Sequence, residues 1–253
     1  MLQFLWIETH RTRAPSARMN RNVPAAKRLE QEPKRVRIIA IDGPAAAGKS
    51  TVAKIVAEEV GLTFLDTGAM YRAVTLLALE RGIDPLDEEA CAKVARALRL
   101  TFDSRGAIQI DGRAGEPAIR SDAVTRAVSP VSAHSAVRAA VVPMQRIEAE
   151  KRGGIVAEGR DIGSVVFPDA DFKFYLDASS EERARRRVLE IGTPERFDEI
   201  HAAIRHRDHL DSTRKDSPLT VAKDALVIRT DGLDAAKVAE RMLAAMRGTS
   251  ARR

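Results

Sequence analysis

An α/β fold is what the sequence predicts, on three observations. A short β-branched run, residues 36–41, leads into the glycine-rich string Gly43-Pro-Ala-Ala-Ala-Gly-Lys-Ser50. A helically spaced stretch follows at once, with Val52, Ile55, Val56 and Val60 on one face and Gly61 as its stop. Beyond it, short apolar runs alternate with helical patterns through most of a 253-residue chain, long enough for one α/β domain with an insertion.

Composition narrows the class. Hydrophobic residues make up 44% and charged residues 31%, which allows a sizeable core, and no run approaches the roughly 18 apolar residues of a membrane-spanning helix. The single cysteine, Cys91, closes no intramolecular disulfide, as suits a reducing compartment. The net charge of +6 is unevenly placed. Nine basic residues (Arg11, Arg13, Arg18, Arg21, Lys27, Arg28, Lys34, Arg35, Arg37) face only Glu8, Glu30 and Glu32, and the rest of the chain is balanced. The basic character therefore belongs to an N-terminal extension and says little about what the body binds. Residues 1–35, with Pro15, Pro24 and Pro33 and no sustained apolar period, are expected to be a disordered, dispensable tail. An organelle-targeting segment, a nucleic-acid-binding arm and a working start at Met19 are the alternatives for it.

The string Gly43–Ser50 fits G-x-x-x-x-G-K-[ST], and it lies between a strand and a helix as that motif requires. Glycines permit a tight turn whose amide hydrogens face phosphate oxygens. Gly43, Pro44, Ala45, Ala46, Ala47, Gly48, Lys49, Ser50 and Thr51 are thus candidates for binding a nucleoside triphosphate. Lys49 would reach the β- and γ-phosphates, and the Ser50 hydroxyl would hold Mg²⁺. A guanine-specific switch protein should also carry N-K-x-D, and no Asn-Lys pair occurs in the chain.

Downstream motifs follow in order. Leu62-Thr-Phe-Leu-Asp-Thr-Gly-Ala-Met-Tyr-Arg72 reads as a second strand, a turn at residues 66–68, and a helix entered at Ala69, capped by Thr67 and carrying Arg72. Residues 98–110 read as a β-hairpin turning at Ser104-Arg-Gly. Ile155-Val-Ala-Glu-Gly-Arg-Asp-Ile-Gly163 places a Glu-Gly-Arg-Asp turn at a strand end, where open parallel sheets bind ligands. There Arg160 offers a planar fork to a phosphate and Asp161 an acceptor for an exocyclic amine. A strand over residues 171–176 precedes Ser179-Ser-Glu-Glu182, a capping-box spacing into a helix bearing Arg183, Arg185, Arg186 and Arg187. Arg207, Asp211 and Arg214 are four and three residues apart and share a helical face. His206 and His209 stand at i and i+3 without a third metal ligand, and read as surface residues. A last strand at residues 224–228 and an amphipathic helix at residues 238–246 close the chain.

These strings together resemble those of bacterial-type cytidylate kinases, nucleoside monophosphate kinases of the P-loop class, from about residue 36 to residue 246. The resemblance rests on the glycine loop, D-[ST]-G-A-x-Y-R at Asp66–Arg72, the Glu-Gly-Arg-Asp turn, the Arg-Asp-x-x-Asp-x-x-Arg run and Lys215-Asp-Ser-Pro-Leu219. Ser129 and Arg138, nine residues apart, match the family's Ser and Arg that address cytosine. Some members carry Asp at the position of Glu158, whose role is left open.

The resemblance implies a P-loop kinase with a five-stranded parallel sheet and helices on both faces. It also implies a small β-containing monophosphate-binding insert at about residues 92–130, a helical lid at about residues 179–215, a kinase domain over residues 36–248, and a short tail at residues 249–253. It implies phosphoryl transfer from ATP to CMP or dCMP with Mg²⁺, in pyrimidine nucleotide metabolism. Thr67, Arg72, Ser129, Arg138, Arg160, Asp161, Arg207, Asp211 and Arg214 would hold the monophosphate. Arg183 would contact ATP, while Lys49, Arg160, Arg186 and Arg187 would stabilise the transferring group. A monomeric cytoplasmic enzyme is expected, with neither membrane nor nucleic acid as partner. Two other readings compete: a small kinase for another monophosphate or a metabolite hydroxyl, and a nucleotide-dependent RNA-binding protein using the basic tail. An aromatic content of 4% offers little for stacking on RNA.

Overall fold

Strand β1 (Arg37–Asp42) lies at the centre of the sheet and is buried at five of its six positions. Alternate residues feed opposite faces, Ile38 and Ala40 one core and Ile39 and Ile41 another, which explains its unbroken apolar run. The computed structural model describes residues 37–103 and 106–250. The extension expected over residues 1–35, Val36, the turn residues Ser104 and Arg105, and residues 251–253 of the tail lie outside the described residues.

Helix α1 (Lys49–Val60) follows the glycine loop and ends at Gly61, whose φ of 66° lets its N–H reach Ala57 and Glu58 carbonyls. Strand β2 (Thr63–Asp66) leads directly into α2 (Thr67–Glu80). This helix starts two residues earlier than the expected entry at Ala69, and its cap is Asp66 rather than Thr67. Asp66 is extended at the N-cap and its carboxylate accepts from Ala69 N, whereas Thr67 is already helical and its hydroxyl donates to Glu158 O at 2.6 Å.

An inserted segment then builds its own core. Helix α3 (Glu88–Ala97) precedes β3 (Leu100–Phe102), β4 (Ile108–Ile110) and β5 (Arg113–Ala114), an antiparallel sheet in which the expected hairpin gains a third strand. A 3₁₀ turn (Ala118–Arg120) leads to α4 (Asp122–Ala133) and α5 (Ser135–Arg152). Met70, Val74, Leu77, Cys91, Ile110, Ile119 and Val137 pack together between these elements.

The chain returns to the main sheet as β6 (Gly154–Glu158), a π-helical turn (Ile162–Val166) and β7 (Phe172–Asp177). Helices α6 (Ser180–Ile191) and α7 (Phe197–Thr213) come next, then β8 (Leu226–Arg229) and α8 (Ala235–Ser250). Ser179 caps α6 by accepting from Glu182 N, while Glu182 bonds Arg186 instead of completing a reciprocal capping box. The sheet order is β2-β6-β1-β7-β8 with every pairing parallel, as expected. Helices α1 and α8 cover one face through Val52, Val56, Val238 and Met242, and α5 and the π turn cover the other through Ala149, Ile162 and Val166.

The carboxyl ends of β1, β2 and β6 come level, Ile41 beside Glu158 and Asp66 beside Glu158, and so open one crevice. The loop entering it is tightly seated. Gly43 has φ 146°, and a Cβ there would sit 2.2 Å from Leu176 O of β7. Gly43→Ala is expected to lower the thermal unfolding midpoint by several degrees, given about 1–3 kcal/mol for overpacking.

Candidate active site

The glycine loop is built for an anion. Gly48 and Ala46 adopt left-handed φ of 84° and 60°, and no side chain caps α1, so its first-turn N–H groups are left for a ligand. Pro44, Ala45 and Ala47 are buried, while Ser50 and Thr51 stand exposed on the first turn of α1. Lys49 is 5% exposed and its ammonium donates to Pro44 O at 2.7 Å. Burial pushes its pKa down to about 7, Arg160 and Arg207 push the same way, and Glu158 and Asp42 oppose them.

Two carboxylates stand at strand ends here: Asp42, not singled out in the sequence, and Glu158, whose role was left open there. Asp42, ending β1, accepts from Ile162 N and Gly163 N at 2.8 Å each and so ties the π turn to the central strand. Burial pushes its carboxyl up to about 6 despite those bonds. Glu158, ending β6, is pushed up to about 7 by burial and by Asp66, with Lys49 and the Ser50 hydroxyl pulling it down. The chemical signal for both was their place at the carboxyl end of an otherwise apolar strand.

Beside the loop, one cleft gathers the predicted acceptor residues Thr67, Arg72, Arg138, Arg160, Asp161, Arg207, Asp211 and Arg214. Arg160 Nε donates to Asp211 Oδ2 at 2.8 Å, which keeps Arg160 protonated and holds Asp211 below the usual carboxylate range. Arg207 Nε is buried with no hydrogen-bond partner, 4.0 Å from Asp211 Oδ2. Burial lowers Arg207 to about 10, and Arg160 and Arg72 add to it. Arg72 is likewise lowered to about 10 by burial and by the nearby Arg120, while its Nη1 donates to Ile119 O and Thr125 Oγ1. Crowded cations with an unpaired donor are what a polyanion would relieve.

At the other end of the cleft Asp161 sits between two guanidinium groups. Arg138 Nη2 donates to one oxygen and Arg214 Nη2 to the other, the latter at 3.4 Å. Burial pushes its carboxyl up against the pull of both arginines. Tyr71 lies under Arg138, the guanidinium carbon 5.5 Å from the ring centroid. Ser129, expected here, is buried in α4 with its carbonyl accepting from Ser132 Oγ, and Ser132 lines the cleft instead.

The arginine-rich helix α6 divides by face. Arg183 is buried and donates to Ala45 O of the loop at 3.0 Å, to Ala178 O, and bidentately to Asp208 of α7. Arg186 bonds Glu182 and Thr230, and a Cβ at Gly48 would lie 3.8 Å from its Nη1. Arg187, expected beside the transferring group, is instead paired with Glu190 at 2.8 Å with 41% of its side chain exposed. Arg185, two residues from Arg183 and so on the far side of the helix, is more exposed still. His206 and His209 lie on the exposed side of α7, and no cluster of three metal-ligating side chains occurs among the described residues.

The profile of the family described as Cytidylate kinase matches residues 39–248. A bifunctional pantoate ligase/cytidylate kinase of Parasynechococcus marenigrum (strain WH8102) is 50% identical over 78% of this chain and 40% of its own length. The chain thus spans about two fifths of that relative. A cytidylate kinase of Mycolicibacterium paratuberculosis (strain ATCC BAA-968 / K-10) is 46% identical over 81% of this chain and 92% of its own length. Among solved structures, a gluconokinase from Sinorhizobium meliloti 1021 is 14% identical with a TM-score of 0.47, covering 86% of this chain and 96% of that one. With a profile match running from β1 to α8, and near-half identity over four fifths of the sequence, the chain belongs to the cytidylate kinase family.

Proposed function

We propose that this chain transfers the terminal phosphoryl group of ATP to CMP or dCMP, giving ADP and CDP or dCDP. The observation that carries the reading is the cleft itself. An anion-binding loop opens onto crowded arginines with an unpaired donor, and a carboxylate clamped by two guanidiniums stands at the far end. On this reading the loop amides and Lys49 hold the triphosphate, with Lys49 exchanging Pro44 O for a phosphate oxygen. Arg72 and Arg160 take the acceptor phosphate, Arg207 and Asp211 the sugar, and Arg138, Asp161 and Arg214 the base. Phosphate oxygens of a nucleoside monophosphate are already nucleophilic near neutral pH, so alignment and charge neutralisation supply the catalysis. Arg186, beside Gly48, neutralises charge on the nucleotide side.

The donors next to the loop suit a hard divalent cation. Ser50 offers a hydroxyl at the first turn of α1, and Glu158 a buried carboxylate whose ionisation that hydroxyl favours. Mg²⁺ would be held by Ser50 together with triphosphate oxygens, and it would neutralise charge on the β- and γ-phosphates. Glu158 would orient the Ser50 hydroxyl.

Among the described residues no helix is long and apolar enough to cross a membrane. The proposal extends to a monomeric cytoplasmic enzyme whose partners are the two nucleotides. The charge balance outside the N-terminal extension supports leaving nucleic acid out. Phosphorus NMR of a reaction of ATP with CMP should show CDP and ADP rising in equal amounts, and removal of residues 1–34 should leave that rate unchanged. ADP without CDP would contradict the reading.

Asp208→Asn tests the nucleotide side. The carboxylate holds Arg183, which holds the Ala45 carbonyl, so the variant should raise the KM for ATP about tenfold and leave the KM for CMP unchanged. Equal shifts in both constants would place Asp208 elsewhere in the mechanism.

A further inference from the structure

Past the end of α7 the chain turns sharply through Ser217. This residue is buried and holds a left-handed φ of 50°, which side chains other than glycine, asparagine and aspartate seldom adopt. Its hydroxyl donates to Asp216 Oδ1 at 2.8 Å and accepts from Arg138 Nε at 3.1 Å. Its carbonyl accepts from Arg214 Nε at 2.6 Å. An ionised carboxylate only accepts, so Asp216 fixes the hydroxyl proton and turns the lone pairs toward Arg138.

One residue thus orients two guanidiniums that come from different elements, Arg138 from α5 and Arg214 from the C-cap of α7. Both present their outer nitrogens to Asp161, one to each oxygen. The result is a closed ring in which Asp161 is clamped by two arginines and both arginines are clamped by Ser217. Such a ring fixes the direction of the remaining acceptor lone pairs of Asp161, and direction is what distinguishes a base presenting an amine from one presenting a carbonyl.

We infer that Ser217 is a specificity-determining positioning residue for the acceptor base, orienting Arg138 and Arg214 so that Asp161 selects a ring bearing an exocyclic amine. The inference rests on the proposed transfer to CMP. It also couples the acceptor base to α7, because Ser217 follows that helix by four residues, and the Leu219 N–H bond to Asp211 O at 2.8 Å pins the turn back onto it.

The test uses Ser217→Gly and Ser217→Ala in the full chain. Glycine accepts the left-handed turn and keeps the carbonyl, so it removes the hydroxyl with the least cost to folding. Alanine removes the hydroxyl and keeps the backbone strain. Initial rates with CMP, UMP and ATP varied separately, and thermal midpoints, should be measured for both and for the unaltered protein. In both variants the ratio of kcat/KM for CMP to that for UMP should fall about tenfold, through KM for CMP, with KM for ATP unchanged. Ser217→Gly should melt no lower than Ser217→Ala. A ratio within twofold of the unaltered protein's in Ser217→Gly overturns the inference and leaves the proposed function standing. An unaltered protein that does not prefer CMP overturns both.

Discussion

Lys49→Ala should lose phosphoryl transfer by roughly three orders of magnitude in kcat or more while remaining folded. The loss of one preorganised donor at a developing charge costs about 10²–10³, and a full cation in a water-poor site does at least as much. Folding should survive because the wild-type ammonium is a burden to the empty protein. It is buried, its pKa is pushed down to about 7, and its hydrogen bond is to the Pro44 carbonyl of its own loop. The sign of the pH dependence follows. The folded state disfavours the protonated lysine relative to the unfolded chain. The cost is therefore fully present below about pH 7 and fades as pH rises toward 10.5, where both states lose the proton. Lys49→Ala should accordingly be stabilised relative to wild type most at and below pH 7, with the difference shrinking above it. Saturating-substrate rates and urea unfolding at several pH values check both parts. Comparable turnover in a pure, folded Lys49→Ala protein would remove Lys49 from the catalytic set.

Asp161→Asn should narrow the preference for CMP over UMP by roughly ten- to hundredfold, with Asp161→Ala moving in the same direction. An amine needs an acceptor, and the amide of asparagine can present a donor where the carboxylate had only lone pairs. The substitution also leaves Arg138 and Arg214 facing each other without the charge that separates them, and breaking a buried pair costs about 3–5 kcal/mol. The thermal midpoint should therefore drop, and the rates are to be compared below it. An unchanged CMP:UMP ratio of kcat/KM would remove Asp161 from base recognition.

The parts of this site that were legible in the sequence are those whose geometry is local. A strand, a glycine loop and a helix start lie within residues 37–60, and the Glu-Gly-Arg-Asp turn is four consecutive residues at a strand end. Arg207, Asp211 and Arg214 could be placed on one face by helical spacing alone, and all three line the cleft. What resisted reading depends on helix packing or on pairing across the fold. Ser129 was matched by its nine-residue spacing from Arg138, and the packing of α4 against α2 and α7 buries it while Ser132 lines the cleft. Arg187 shares the i, i+3, i+4 face of Arg183 and Arg186, yet it turns outward to pair with Glu190. Thr67 and Asp66 are both capping types, and the contest between them is settled by Glu158, whose carbonyl takes the threonine hydroxyl. Ser217 meets Arg138 across 79 residues, and Asp42 meets the π turn across 120, distances over which no local pattern carries information.

The most direct measurement is ADP production by the folded protein with ATP and Mg²⁺ in separate reactions containing CMP, dCMP, UMP, AMP, dTMP or no acceptor. The arrangement of Arg138, Asp161 and Arg214 predicts rapid turnover with CMP and dCMP, little with UMP, and almost none without acceptor. A preparation that binds ATP but is stimulated by none of the monophosphates would contradict it.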